Sequence, residues 1–289
     1  MKTIFGTAAL AGLVGIWVAG GALAQTPEAG AAKTSAYRGP RLGAHPDLSG
    51  VWQVMNTAEF NIEAHASSAA MQMRPGPVVP VPAKDVLALG AVGSVPAGLS
   101  IVEGGTIPYK PEALKQRNEN KADWIHRDPE IKCYLPGVPR ANYMSLPFQI
   151  LQSDNLITIV YEYAQATRHV VFKDPGAPPF DSWMGQSVAH WEGDTLVVVV
   201  TGMNDSTWFD RAGNFHSADM KVVERWTPMG PGVMRYEAEI NDPTTFTRPW
   251  KLGVNLYKHV GEDARLLEFN CVEFVEELMY GSLRKRPLD

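Results

Sequence analysis

The chain has 289 residues, a formal net charge of −5 at pH 7, and 20% charged and 9% aromatic residues. The charge is mild and the basic residues are not clustered, which excludes nucleic acid as a predicted partner. The length is enough to bury a full hydrophobic core in one large domain or two small ones.

The N-terminus is predicted to be a cleaved secretory signal peptide. Lys2 is followed by an apolar run that ends in Ala22-Leu23-Ala24, and we expect cleavage after Ala24. No later segment is apolar for long enough to cross a bilayer, so no membrane insertion is expected after cleavage. The mature protein is therefore predicted to be periplasmic or secreted, and its oligomeric state is open.

The chain up to residue 148 is predicted to be mostly irregular. Residues 25–45 are small, polar and rich in Gly and Pro, which favours a flexible leader. Residues 46–148 lack a sustained period and are predicted to wrap the surface. The regular elements expected in this part are a strand at 47–54, a short helix at 83–89 and an exposed helix at 112–123.

Beyond residue 148 the sequence is typical of strands joined by short turns. Turn sequences such as Glu192-Gly193-Asp194 separate runs of alternating residues. A short helix is predicted at the end, from Phe274 to Tyr280. The predicted strands are 149–152, 156–163, 168–172, 186–191, 195–201, 219–227, 233–240, 250–259 and 264–272.

Consecutive strands joined by turns form an antiparallel meander, and a long meander must close or stack to protect its edges. We predict a mainly β fold, in which the meander closes into a lipocalin-like barrel with an irregular N-terminal wrap and few short helices; a sandwich is the alternative. Residues 46–289 are predicted to form one domain, with the main barrel in 149–289. Barrels of this size often hold one small ligand.

The sequence contains two cysteines, Cys133 and Cys271. An even count in an exported protein predicts one disulfide bond, which would tie the segment before the first of these strands to the last strand. The alternative is two buried free thiols, which pack as small apolar side chains.

Alternation along two strands predicts polar side chains inside the barrel. Glu224 shares a face with Trp226, and Tyr236 lies on the apolar face of the next strand. A buried carboxylate requires a partner, and Arg140, Arg168 and Arg225 are candidates. Two roles are open: internal ion pairs that fix strand register, or bidentate binding of a substrate carboxylate by Arg168 or Arg140.

The loop after the predicted strand 195–201 combines polar and aromatic residues. His190 and His216 flank this region, which also holds Asp205 and Asp210. A histidine oriented by an aspartate is suited to moving protons. The alternative is a tightly hydrogen-bonded connection, because Asn and Asp stabilise such turns.

Motifs of metal and nucleotide sites are missing from the sequence. It has no HxH or HExxH spacing, no GxSxG, no P-loop and no Rossmann fingerprint. We therefore predict no metal and no cofactor.

Five longer motifs occur along the chain. They are PDLSGVW at 46–52, CYLPGVPR at 133–140, PFQI at 147–150, YEYAQATRHVVF at 161–172 and HWEGDTLVVVVTGMNDSTWFDRAGNFHS at 190–217. Together they resemble a family of exported bacterial proteins, most of them of unknown function, over most of the chain from Pro46 onward. Through some relatives, the resemblance implies a link to the breakdown of lignin-derived aromatic dimers, in which a carboxylate is lost as CO₂.

The first functional hypothesis is a cofactor-free lyase of the decarboxylase type, acting on a phenolic or lignin-derived aromatic carboxylic acid in the barrel cavity. A phenol with a para side chain gives a quinone methide, which is the electron sink that decarboxylation needs. The candidate residues are Arg168 and Arg140 as carboxylate anchors, Tyr236 and Tyr163 as phenol contacts, His190 and His216 as acid or base, Asp205 and Asp210 orienting the histidine, Trp208 and Trp250 as stacking walls, and Glu224 as a further substrate contact.

The second hypothesis is a non-catalytic carrier of an apolar or aromatic small molecule, which needs the same cavity but no proton transfer. Convergence of His190, His216 and Asp205 on the cavity favours the enzyme. A lining of only Trp, Tyr, Met and Val favours the carrier. A third possibility is an exported structural protein in which the polar loop is only a connection.

Overall fold

The computed structural model describes residues 37–68 and 95–275. Several predicted segments lie outside these residues. They are the signal peptide, much of the leader, the helix at 83–89 and most of the helix from Phe274 to Tyr280. The helix predicted at 112–123 is present as α1.

Strands dominate the described part of the chain. Its α-helices are α1 (Pro111–Ala122) and α2 (Trp124–Arg127), and short 3₁₀ helices occur at Arg140–Asn142 and Tyr163–Gln165. Its strands are β1 (Arg41–Leu42), β2 (His45–Pro46), β3 (Gly50–Val54), β4 (Phe148–Gln152), β5 (Leu156–Tyr161), β6 (Thr167–Val171), β7 (Gln186–Glu192), β8 (Thr195–Thr201), β9 (Lys221–Gly230), β10 (Val233–Asn241) and β11 (Trp250–Lys258).

Nine of the described strands close into a barrel in the order β10-β11-β3-β4-β5-β6-β7-β8-β9. The predicted mainly β fold with a closed, lipocalin-like barrel is therefore confirmed. Neighbouring strands are antiparallel except β6 and β7, which run parallel and pair Val170 with Ser187. A parallel pair needs a long crossover, and residues 172–185 provide it, so the sheet is mixed at this one step.

The barrel takes β3 from the segment predicted to wrap the surface. This strand lies between β11 and β4, where Val54 pairs with Leu256 and Trp52 pairs with Phe148. Because β3 completes the ring, no free edge remains for residues 264–272. The strand predicted there is wrong, and these residues follow an irregular path.

We call residues 264–275 the C-terminal strap. A disulfide bond between Cys133 and Cys271 ties the strap to the irregular segment before β4, with the two Cα atoms 5.7 Å apart. The backbone amide of Leu267 also donates to Oε2 of Glu162 at 2.7 Å. The expected pair of cysteines is thus bonded, but it joins a turn to the strap and not to a barrel strand.

The inward-facing side chains of β7 to β11 form three rows across the barrel wall. Nearly all of these side chains are buried, so the alternation predicted for β9 and β10 is confirmed. The Trp226 row is Trp191-Leu196-Trp226-Tyr236-Val254, the Glu224 row is Ala189-Val198-Glu224-Ala238-Leu252, and the Val222 row is Ser187-Val200-Val222-Ile240-Trp250.

Long connections pack together at one end of the barrel. Tyr143 follows the 3₁₀ helix Arg140–Asn142, is fully buried, and donates from its hydroxyl to the backbone oxygen of Phe209 at 2.9 Å. A Cβ atom at Gly213 would lie 2.6 Å from the backbone nitrogen of Lys121. Glycine at this position therefore lets helix α1 approach the 202–220 connection closely.

Helices play a small part in this fold. In residues 37–68 and 95–275, none combines the length and the apolar character that a membrane crossing requires.

Replacing both cysteines, by Cys133→Ser with Cys271→Ser, is expected to lower the free energy of unfolding by about 3 to 5 kcal/mol. The reason is that the bond joins residues 138 positions apart and so restricts the unfolded chain. Urea unfolding followed by circular dichroism measures the change. Reduced wild-type protein should match the double variant, and an unchanged urea midpoint in either sample would contradict the prediction.

Candidate functional site

An ion pair lies in the interior of the barrel. Glu224 of β9 and Arg168 of β6 are both almost completely shielded from solvent. Arg168 donates from Nη1 to Oε1 of Glu224 at 3.1 Å and from Nη2 to Oε2, which is a bidentate arrangement. Its Nε donates to Oγ of Ser187 at 2.8 Å. The guanidinium is therefore fixed by partners on two different strands.

Two tyrosines and an asparagine complete this group. Oε1 of Glu224 also accepts from Nδ2 of Asn142 and from the hydroxyl of Tyr236, each at 2.8 Å. Oδ1 of Asn142 accepts from the hydroxyl of Tyr161 at 2.7 Å, so Asn142 links Tyr161 to the carboxylate. The interior polar cluster is defined as Asn142, Tyr161, Arg168, Ser187, Glu224 and Tyr236.

The geometry of the strands explains why these side chains meet. Ala238 is the direct cross-strand partner of Glu224, and Tyr236 is the next inward-facing residue of β10, so its hydroxyl reaches the carboxylate diagonally. Arg168 comes from β6, which is three strands away around the barrel. A long side chain is needed to span that distance, and arginine supplies both the length and two donors.

Burial and the Glu224 carboxylate shift the pKa values of Arg168, Tyr161 and Tyr236. Burial alone would lower the pKa of Arg168, but the Glu224 carboxylate outweighs it and raises this pKa above its ordinary value. Burial raises the pKa of Tyr161 to about 12, and burial together with Glu224 raises the pKa of Tyr236 well above its usual value. Both phenols are therefore neutral near pH 7 and act as hydrogen-bond donors.

A second group of charges, the cap cluster, lies among the connections at the end of the barrel; its members are Glu59, Asp128, Glu130, Arg140 and Arg211. Arg140 donates from Nη1 to Asp128 at 3.2 Å and from Nη2 to Glu130 at 2.6 Å. Arg211 donates to both oxygens of Glu130, at 2.9 and 2.7 Å. Burial alone would raise the pKa of Glu130, but Arg211 and Arg140 outweigh it and lower this pKa to about 2.

One turn of chain joins the two clusters. Arg140 and Asn142 belong to the same 3₁₀ helix, with Arg140 turned to the cap cluster and Asn142 turned to Glu224. Of the two predicted carboxylate anchors, Arg168 therefore lies in the barrel interior, and Arg140 is paired with carboxylates of the cap.

Two catalytic candidates of the loop, the predicted acid or base His216 and the predicted orienting residue Asp210, are engaged with nearby groups. Nδ1 of the buried His216 donates to the backbone oxygen of Ser217 at 2.9 Å, so Nε2 accepts from Oγ1 of Thr207 at 2.6 Å. Burial lowers the pKa of His216 and keeps the ring neutral. Asp210 accepts from the backbone amide of Ile62 at 2.9 Å, and burial raises its pKa to about 6.

The other two loop candidates lie at the surface. His190 faces outward from β7, and its Nε2 is 3.2 Å from Oε1 of Glu192. Asp205 is exposed. The structure therefore does not bring His190, His216 and Asp205 together on the barrel interior.

The predicted aromatic contacts are divided between three places. Trp250 is buried inside the barrel and packs against Phe209 with ring centroids 5.3 Å apart. Trp208 is buried in the 202–220 connection. Tyr163 follows β5 and donates from its hydroxyl to the backbone oxygen of Glu130 at 3.2 Å, so it contacts the cap cluster.

Sequence reasoning did not single out Asn142, Tyr161 or Ser187. Tyr161 shares a face of β5 with Ile157 and Ile159, but both faces of this strand are so apolar that the pattern does not show which one is internal. Asn142 precedes β4 in an irregular segment, where no period applies. Its role depends on the tertiary fold and left no local signal.

No protein-family model, curated protein or solved structure matches the chain. The resemblance to exported bacterial proteins therefore stays a prediction based on the five motifs. Within the described part of the chain, no group of three or more His, Cys, Asp or Glu side chains is placed to hold a metal ion.

Breaking the interior ion pair from one side is expected to be costly. Arg168→Met leaves the Glu224 carboxylate buried without its cation, which should lower the free energy of unfolding by about 3 to 5 kcal/mol. Arg168→Met combined with Glu224→Gln should recover at least half of that loss, because no unpaired charge remains. Urea unfolding of the single and double variants tests the coupling, and strictly additive losses would count against it.

Acid is expected to remove the stability that Glu130 contributes. Its folded-state pKa of about 2 lies below the ordinary value of 4.5, so this stability is fully present above pH 4.5 and is lost as the pH falls toward 2. The free energy of unfolding of Glu130→Gln should therefore lie about 3 kcal/mol below that of the wild type at pH 7, and the gap should close in acid.

The matched control for this experiment is Glu192→Gln. Glu192 also pairs with an arginine, Arg225, but at the exposed outer surface of the barrel. Its substitution should open a much smaller gap, since water screens exposed ion pairs. Chemical unfolding at pH 7, 5, 4 and 3 gives both curves, and a pH-independent gap for Glu130→Gln would refute the assignment.

Proposed function

We propose that this protein is a cofactor-free lyase of the decarboxylase type, which removes the carboxyl group of a phenolic aromatic acid inside the barrel. One observation carries the proposal. A guanidinium, a carboxylate and two phenols meet in the interior polar cluster, and apolar side chains surround them.

Stability alone is a poor reason for such a cluster. Each buried charge costs several kcal/mol of desolvation, and well-packed apolar residues in the same place are often as stable as the ion pair or more so. Strongly perturbed, desolvated groups of this kind concentrate at functional sites. The cluster is therefore better explained by chemistry that needs a charged anchor in a dry environment.

Arg168 is the natural anchor for a substrate carboxylate. Its planar guanidinium already binds the carboxylate of Glu224 in the geometry that a ligand carboxylate would use. A substrate that takes over part of this contact brings its own negative charge next to Glu224. In its acid form, Glu224 is then the group that delivers a proton to carbon.

The reaction is balanced without a redox partner. The acid carries a side-chain double bond conjugated with the ring, as in 4-hydroxycinnamate, and it reacts as the phenolate after its phenolic proton has passed to solvent. Addition of a proton from Glu224 to the side-chain carbon that bears the carboxylate gives the quinone methide. The electrons of the breaking carbon–carboxylate bond then flow back into the ring as CO₂ leaves, and the resulting phenolate and the Glu224 carboxylate each take up a proton from solvent. The net change is replacement of a carboxylate by a proton. The neutral hydroxyls of Tyr161 and Tyr236 supply hydrogen bonds to negative charge during these steps.

A non-catalytic carrier is the second candidate. The observation that favours it is the position of His190, His216 and Asp205, none of which reaches the interior polar cluster. A carrier would use Arg168 to hold an acidic ligand and would leave its carboxyl group in place.

Tyr236→Phe is expected to lower the rate of CO₂ release by about tenfold to a hundredfold, because it removes one hydrogen bond to the charged group at the centre of the cluster. The measurement follows CO₂ and ultraviolet spectra for a panel of 4-hydroxyaryl carboxylic acids, with no cofactor added. Tyr143→Phe is the matched control, since it removes an equally buried hydroxyl whose partner is the backbone oxygen of Phe209. Its rate should stay near that of the wild type.

The same panel separates the candidate functions. Release of CO₂ that depends on Tyr236 but not on Tyr143 supports the lyase. Tight binding of the acids by calorimetry without CO₂ release supports the carrier. An equal loss of rate in both variants would show that a buried hydroxyl matters only for packing, and the proposed site would then be abandoned.

A further inference from the structure

Few buried polar side-chain atoms lack a hydrogen-bond partner in the described part of the chain. They are His45 Nδ1, His65 Nε2, Asp128 Oδ2, Arg140 Nε, Trp226 Nε1 and Trp250 Nε1. Two of them are indole nitrogens of inward-facing residues of the barrel. A buried N–H group without an acceptor costs about 1 to 3 kcal/mol, so each one requires an explanation.

Trp226 lies directly beside the interior polar cluster. It is two residues from Glu224 on the same face of β9, and its ring makes an edge contact with Tyr236 at a centroid distance of 4.7 Å. Tyr236 in turn donates to Glu224. The unpartnered indole N–H therefore belongs to a residue that contacts the interior polar cluster and lies one inward-facing position along β9 from Glu224.

Trp250 and Trp52 are also buried, but each lacks one of two features of Trp226, either the contact with the cluster or the unpartnered donor. Trp250 packs against Phe209 and Phe246 and makes no ring contact with the cluster. Trp52 is also buried, but its Nε1 donates to the backbone oxygen of Leu48 at 2.9 Å. Among the tryptophans in the described part of the chain, Trp226 is thus the one that combines an unpartnered donor with contact to the cluster.

The row of the barrel wall that contains Glu224 has smaller side chains than the row that contains Trp226. The Glu224 row contains two alanines, Ala189 and Ala238, whereas the Trp226 row beside it contains three aromatic residues. Same-face neighbours on a strand are about 7 Å apart, which is comparable with the length of a benzene ring and its two para substituents. One aromatic ring with para substituents is therefore long enough to span the separation between Glu224, which binds Arg168, and Trp226.

We infer that Trp226 selects the substrate by donating its indole N–H to the para-hydroxyl oxygen of an aromatic acid whose carboxylate is held by Arg168. This inference rests on the proposed function, and it names the substrate class as 4-hydroxyaryl acids. A hydrogen bond to the phenol oxygen also stabilises the negative charge that returns to this oxygen as CO₂ leaves the quinone methide.

The test compares two probes that differ only in the para-hydroxyl group, 4-hydroxycinnamate and cinnamate. Isothermal titration calorimetry with the wild-type protein should show 4-hydroxycinnamate binding about tenfold more tightly, the effect expected of one hydrogen bond to a buried donor. Trp226→Phe keeps an aromatic ring and removes the donor, so it should bind both probes equally. Trp52→Phe is the matched control and should retain the wild-type preference.

A second measurement on the wild-type protein does not depend on the folding of any variant. With ¹⁵N-labelled tryptophan, one indole N–H resonance should move downfield on addition of 4-hydroxycinnamate and should move much less with cinnamate. If no indole resonance distinguishes the probes, or if neither probe binds at millimolar concentration, the inference is overturned.

Failure of the inference and failure of the proposed function give different results. If the wild type releases no CO₂ but Trp226→Phe abolishes the preference for the hydroxylated probe, the binding site stands and the lyase does not. If CO₂ is released and Trp226→Phe keeps the full preference, the lyase stands and the role of Trp226 is refuted.

Discussion

The ion pair between Arg168 and Glu224 constrains the whole interior of this barrel. Two charges out of water are tolerated only when their remaining hydrogen-bonding groups are also satisfied. Ser187, Asn142 and Tyr236 do this, and they come from β7, the 3₁₀ helix before β4, and β10. The pair is therefore stable only when the barrel has closed and the connection at its end is in place.

That dependence couples the cap of the barrel to its interior. The 3₁₀ helix that places Asn142 on Glu224 also places Arg140 between Asp128 and Glu130. A shift of this turn would disturb both groups of charges at once. A ligand that reaches Arg168, as proposed, must therefore either leave this turn in place or loosen the two clusters together. The C-terminal strap, which is disulfide-bonded to Cys133, restrains such loosening.

The sequence predicted those features that depend on local period. Alternation along β9 and β10 was enough to place Glu224 and Tyr236 inside, because the side-chain period of a strand is fixed by covalent geometry. Two other features depend on which strand edges pair, and edge pairing is a non-local property. They are the parallel pairing of β6 with β7 and the irregular path of residues 264–272. Asn142 illustrates the limit most clearly, since its partners lie 19 and 82 residues away along the chain.

The polar loop at 202–220 and the interior polar cluster look alike in composition but differ in how their polar groups are satisfied. Asp210 accepts from Ile62, Ala212 and Asn214, and His216 has partners on both ring nitrogens. All of these partners lie in connections and none is an inward-facing residue of a barrel strand, so these bonds hold the connections in shape. The indole N–H of Trp226, in contrast, is an unpartnered buried donor on the inward face of β9. Residue type alone cannot distinguish the two cases. For this reason the sequence predicts catalytic histidines and aspartates in the loop, whereas the proposed ligand site lies in the barrel interior.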